Sequence, residues 1–218
     1  PFLNQMAMFL VQITLNNTLT YYGALSHYGE DIPLACVGVI SKVNILMLGF
    51  TLGISQGCQP IFSYNYGARQ YSRVREAYRK AIVAASIICC IAFVCFQLFP
   101  RPIVALFDPS GSEEYFQFAE RYFRIYMFMT LANAFQPITA NFFTSIGKAK
   151  RGALIALTRQ VIFLIPLILI FPLFLGIDGV MYAGPIADSA AVVVALALVT
   201  REMKRMPHVD EPVAADTL

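Results

Sequence analysis

Apolar residues recur along this chain in six long runs, at approximately 2–25, 33–64, 79–99, 121–146, 152–175 and 178–200. Polar and charged residues collect in the short stretches between them. Each run reaches the roughly 20 residues that a helix needs to cross a bilayer. The runs are too long for strands and lack period-two alternation, so they predict helices. The second and fourth exceed the minimum, which leaves room for tilt or an interruption. The pattern predicts an all-α polytopic membrane protein. A bundle of six transmembrane helices fills 1–205, and a polar, disordered cytoplasmic tail follows over 206–218.

Charge adds an orientation. Arg69, Arg73, Arg75, Arg79 and Lys80 follow the second run, Lys148, Lys150 and Arg151 the fourth, and Arg201, Lys204 and Arg205 the sixth. Eleven of the sixteen basic residues thus fall on one side, whereas the opposite connections hold only Arg101, Arg121 and Arg124. By the positive-inside rule the eleven-residue side is cytoplasmic, with both ends of the chain there. The expected setting is a plasma membrane, the inner membrane in a bacterium. Composition agrees: 13% of residues are charged and mean hydropathy is +0.63, against roughly a quarter charged in soluble domains. The net charge of +3 suggests no nucleic-acid partner; the lipid bilayer is the expected one. Pro1 lies at the edge of an apolar run with no basic region or cleavage site before it, and is read as a truncation of a longer protein. Five cysteines, all inside apolar runs, fit no metal or disulfide spacing and read as small buried residues.

Several polar features lie at membrane depth. Gln5, Gln12 and Asn16 share one face of the first span, with Asn4 and Asn17 beside it; amides there must meet protein or a water-filled cavity. Interhelical hydrogen bonding and a substrate pathway both fit. Gly49, Gly53 and Gly57 form overlapping G-x-x-x-G spacings, expected to pack against a neighbouring helix or to serve as a sliding surface. The match of Gly53-Ile54-Ser55-Gln56-Gly57 to the G-x-S-x-G of hydrolases is read as chance, since neither His27 nor His208 is placed to act as base. No nucleophile, base or metal set stands at depth, so no enzyme is expected. Gln59-Pro60-Ile61 and Gln136-Pro137-Ile138 echo each other before basic loops. Pro60 and Pro137 predict helix breaks that free the carbonyls of Gln56 and Asn133, and such breaks often build transport sites. Pro166 and Pro185 are further kink candidates. Lys42, Arg159 and Asp188 are intramembrane charges, and the depths of the last two predict an interhelical pair. Glu120 and Arg124, in an aromatic and charged interfacial stretch, are spaced to pair at i,i+4.

The stretch Gln56-Gly57-Cys58-Gln59-Pro60-Ile61-Phe62-Ser63-Tyr64-Asn65-Tyr66-Gly67-Ala68-Arg69 closely resembles the signature that ends the second helix of a lobe in the multidrug and toxic compound extrusion (MATE) family. Gln136-Pro137 and the run Gly179–Asp188 match in order and spacing. The resemblance implies the C-terminal six-helix lobe of a twelve-helix exporter, partnered by an N-terminal lobe of the same polypeptide and working by alternating access. It further implies small organic, often cationic substrates exchanged against protons or sodium. Gln5, Gln12, Asn16, Gln56, Gln59, Asn133 and Gln136 are then the substrate-pathway candidates. Span one lacks the acidic residue that some sodium-coupled members carry, and span four offers only amides. No cofactor is expected, and the coupling-ion site is expected in the N-terminal lobe. A lipid-linked sugar flippase of the same superfamily and a non-transport membrane scaffold are the alternatives.

Overall fold

The computed structural model describes residues 2–109, 111–207 and 210; the side chains of Phe2, Leu3 and Asn133 lie outside that description. The helices are α1 (Phe2–Ala24), α2 (Asp31–Gly67), α3 (Tyr71–Leu98), the short α4 (Pro100–Ala105), α5 (Glu113–Tyr126), α6 (Ala132–Ser145), α7 (Ala149–Leu157), α8 (Ile165–Leu175) and α9 (Ile177–Arg205). A 3₁₀ turn, Met127–Met129, lies between α5 and α6, and a π-helical segment, Thr158–Leu164, joins α7 to α8. These elements make six helical passages, with no strand among the described residues. Helix is the expected outcome in hydrocarbon, where every backbone N–H and C=O must be satisfied within its own segment.

Four of the passages are long and apolar enough to cross a membrane: Asp31–Gly67, Tyr71–Leu98, Ala149–Leu175 and Ile177–Arg205. The first has 23 residues, but Asn4, Gln5, Gln12, Asn16 and Asn17 lower its hydropathy. The passage through α5 and α6 is divided by the 3₁₀ turn. Solvation is reversed relative to a soluble helix, as α3 illustrates. It buries the small residues Ala81, Ala85 and Cys89 while exposing Val83, Ile87, Ile91 and Val94. Small residues at i, i+4 and i+8 share one face and let a helix approach its neighbours closely.

The core lies between α2, α3 and α6. Phe62 meets Phe142 edge-on at 5.3 Å, and Tyr78 meets Phe142 at 5.1 Å. Glycines allow closer approaches elsewhere. A Cβ on Gly152 would stand 2.5 Å from the Ala140 carbonyl oxygen, and one on Gly179 would stand 2.6 Å from that of Phe171.

Several expectations are corrected. Among the described residues nothing packs against Gly49, Gly53 or Gly57: a Cβ on any of them would find no atom of these within 4 Å. The stripe points away from the bundle, so it does not serve packing within this chain. α2 and α6 run unbroken through Pro60 and Pro137. The real interruptions are at Met127–Met129 and Thr158–Leu164; at Pro60 and Pro137 buried residues on either side, Ser55 and Phe62 on α2 and Ala134 and Ile138 on α6, hold the helix. Cys36 and Cys89 are buried, but Cys90 and Cys95 are exposed on α3; a thiol is apolar enough to face hydrocarbon. The tail is not wholly detached. Met206 is buried, Arg75 donates to the carbonyls of Met206 and Pro207 at 2.9 and 2.7 Å, and the Ser72 N–H donates to Asp210 at 2.8 Å. His208, Val209 and residues 211–218 lie outside the described residues.

Candidate functional site

Three irregularities converge near the middle of the bundle. Pro166 stands just inside α8, and in a regular α-helix its ring would clash with the Ile162 carbonyl. The wider π turn before it avoids that clash, and π segments are frequent at functional sites. The 3₁₀ turn after Tyr126 is closed by the Thr130 hydroxyl, which donates to the Met127 carbonyl at 2.5 Å. Gly184 on α9 admits the Tyr126 ring: a Cβ there would stand 2.6 Å from the ring Cε2.

Arg159, on the π segment, donates through Nε to Asp188 Oδ1 on α9. Their side chains are only 12% and 10% exposed. Asp188 lies eleven residues into α9, about 16 Å from its start at 1.5 Å per residue. An ionised group at that depth requires a partner, and the expected interhelical pair is made. Beside it is a cavity of about 130 Å³ between α1, α2, α8 and α9. Gln12, Ser41, Asn44, Tyr126, Arg159 and Gln160 supply its polar lining, and apolar side chains such as Met8, Leu15 and Ile168 most of the rest. Gln12 donates to Asn16 at 3.0 Å along α1.

The remaining candidates fall elsewhere. Gln59 lines a second cleft of about 640 Å³ with Asn4, Asn141 and Thr144, between α1, α2, α6 and α7. Gln136 ties α6 to α7, donating to the Ile155 carbonyl at 3.4 Å. Gln5, Gln56 and Lys42 are exposed, the last two on α2. Asn133 falls on α6, with its side chain outside the described residues. Ser55 has a structural place: its hydroxyl donates to the Pro137 carbonyl at 3.2 Å and accepts from Asn141 Nδ2 at 2.6 Å. Sequence reasoning missed Ser41, Asn44, Tyr126 and Gln160 in the cavity, of which Ser41 and Gln160 stand next to the predicted charges Lys42 and Arg159. It also missed Glu202, which is 1% exposed and receives both Lys148 and Arg151. That carboxylate sits among the last basic residues of α9, where it reads as one more surface charge.

The resembling stretch also builds a helix end. Ala68 N–H donates to the Tyr64 carbonyl and Gln70 N–H to that of Asn65, each at 2.9 Å, around Arg69 at φ +55°. This is the left-handed cap common at helix C-termini. α6 ends in the same way at Gly147, φ +77°, with Lys148 N–H on the Phe143 carbonyl at 2.8 Å. The sequence model of the MatE family matches residues 5–170.

The chain belongs to the MatE family.

The MatE match covers Arg159 but ends before Asp188. The chain is 22% identical over 175 residues to the multidrug export protein MepA of Staphylococcus aureus (strain bovine RF122 / ET3-1), a match covering 80% of this chain and 38% of that protein. Its fold is similar to that of a multidrug resistance MATE family transporter of the MOP superfamily. It superposes on the outward-facing conformation with a TM-score of 0.83 and on the inward-facing one with 0.84, at 20% identity in each case. Both superpositions cover 94% of this chain, and they cover 44% and 46% of the solved chains. This MatE chain thus spans less than half the length of the relatives it matches, and it is a polytopic membrane protein.

Proposed function

We propose that the chain is the C-terminal six-helix lobe of an ion-coupled exporter of small organic, often cationic, amphipathic molecules, working by alternating access with an N-terminal lobe. The observation that carries this reading is the outward face of α1 and α2. Gln5, Gln12, Asn17, Lys42 and Gln56 are exposed there, and Gly49, Gly53 and Gly57 are uncovered. Hydrocarbon solvates neither amides nor an ammonium group. A water-filled cavity and a second lobe would do both jobs, solvating the polar groups and closing on the glycine stripe. Comparable similarity to outward- and inward-facing relatives is what a lobe that rocks as a unit would give.

In this reading, all six passages of residues 1–205 cross the plasma membrane, the bacterial inner membrane, with both ends of the chain cytoplasmic. Protons or sodium drive the cycle from a site in the other lobe. The test is dye efflux from cells that carry the whole protein, with the proton or sodium gradient collapsed separately. Efflux that ceases with one gradient is expected. Retention of every dye tried, whatever the gradient, would refute the export reading.

A further inference from the structure

Arg101, Arg121 and Arg124 lie in the half of the bundle where α9 begins. Arg101 pairs with Glu113 at 2.6 Å and with Glu120 at 3.7 Å, and Arg121 pairs with Asp178 at 2.8 Å. The expected i,i+4 pair of Glu120 with Arg124 is therefore not made, because Glu120 faces Arg101 instead. Arg124 is exposed, and among the described residues its guanidinium has no ion pair or hydrogen bond. It stands three residues further into the membrane than Arg121, about 4.5 Å along the axis. Its backbone carbonyl accepts from Gln97 at 3.0 Å, which holds the end of α3 against it. An apolar groove of about 340 Å³ begins at this point, lined by Gln97, Arg124, Ile125, Phe128, Tyr182 and Pro185.

We propose that Arg124 and this groove form a binding site for an anionic phospholipid, with the phosphate on the guanidinium and an acyl chain along Phe128, Tyr182 and Pro185. A guanidinium at the boundary of hydrocarbon needs an anion, and lipid phosphates are the anions present at that depth. Arg suits the role because its planar fork bonds phosphate through two N–H groups. Tyr182, which lines the same groove, is of a residue type enriched at the headgroup boundary. The occupant is a lipid rather than free phosphate because the cation and the apolar groove are contiguous.

The test compares full-length wild type with Arg124→Gln, Arg124→Lys and Phe128→Ala, and with Arg73→Gln at the opposite end as a charge control. Native mass spectrometry reads the phosphatidylglycerol or phosphatidylcholine retained from detergent micelles, and thermal unfolding reads the stabilisation by each. Wild type should retain phosphatidylglycerol preferentially. Arg124→Gln should retain about tenfold less, as for the loss of one charge-assisted phosphate contact. Arg124→Lys should be intermediate, Phe128→Ala should weaken retention with the cation in place, and Arg73→Gln should match wild type. Unchanged phosphatidylglycerol preference in both Arg124→Gln and Phe128→Ala would overturn the proposal. So would an equal loss in Arg73→Gln, or protection by inorganic phosphate as strong as that by the lipid.

Discussion

Ser55 on α2 donates to the carbonyl of Pro137 on α6, and two turns further along Ser63 donates to the carbonyl of Ser145 at 3.1 Å. Each pair is separated by 82 residues, so the two helices run parallel in a fixed register. Gln59 and Gln136 are 77 residues apart in the sequence. The repeated Gln-Pro-Ile segments therefore do not stand level. Pro137 is displaced from Pro60 by five residues, about 7.5 Å along the axis. The repeat is one of sequence, and the pairing of the helices follows the hydroxyls.

Ser55→Ala should destabilise the protein by about 1 kcal/mol, because it removes the buried hydroxyl that bonds both the Asn141 amide and the Pro137 carbonyl. Ser55→Cys should do less damage, having a weak donor of similar size. Thermal unfolding in detergent measures both. Wild-type stability in Ser55→Ala would contradict the brace.

Breaking the Arg159–Asp188 pair from one side should be costly. Asp188→Asn leaves a buried guanidinium without its counter-charge, and a loss of about 3–5 kcal/mol is expected. The double variant Arg159→Met, Asp188→Leu should recover most of that loss, since apolar replacement of a buried pair is often neutral. If the whole protein carrying the double variant folds but no longer exports, the pair does more than hold two helices together. Unfolding curves and dye efflux together separate the two roles.

The glycines within helices divide into two classes that alanine substitution distinguishes. Gly184→Ala drives a methyl group into the Tyr126 ring and should lower stability, as should Gly152→Ala against the Ala140 carbonyl. Gly53→Ala meets nothing among the described residues and should gain up to about 1 kcal/mol in helix propensity. The same Gly53→Ala protein should lose export if the stripe closes against a second lobe. Stability without export is the expected signature, read by unfolding and efflux on one preparation.

At the α5 end, the hydrogen bond from Arg101 holds the Glu113 carboxyl below its ordinary value of 4.5. A lowered folded-state value means that the pairing contributes fully above that ordinary value and is lost as pH falls through the lowered one. The carboxyl carbon of Glu113, followed by NMR, should titrate below 4.5 in wild type and move back up in Arg101→Gln. Superimposed curves would remove the pairing as the cause.

The helices were legible because hydropathy and length are local properties, and hydrocarbon leaves the backbone few alternatives. The Arg159–Asp188 contact was legible too, since two charges at similar depth have few other partners. The interruptions were not. Pro60 and Pro137 advertise breaks that packing suppresses, whereas the breaks at Met127–Met129 and Thr158–Leu164 depend on how Tyr126 meets Gly184 and on a proline several residues downstream. Arg124 was misread and Glu202 missed for a similar reason. Spacing within a helix paired Glu120 with Arg124, but Arg101 arrives from another element and takes it. Glu202 reads as surface until α7 closes over it.

That carboxylate has a mechanical consequence. The two rails formed by residues 149–175 and by α9 are joined covalently at Gly176, by Arg159 and Asp188 near mid-height, and by Glu202 with Lys148 and Arg151 at the far end. A ladder fastened at three rungs can shear only where a rail holds spare length. Here that reserve is the widened turn at Thr158–Leu164, which carries the middle rung itself.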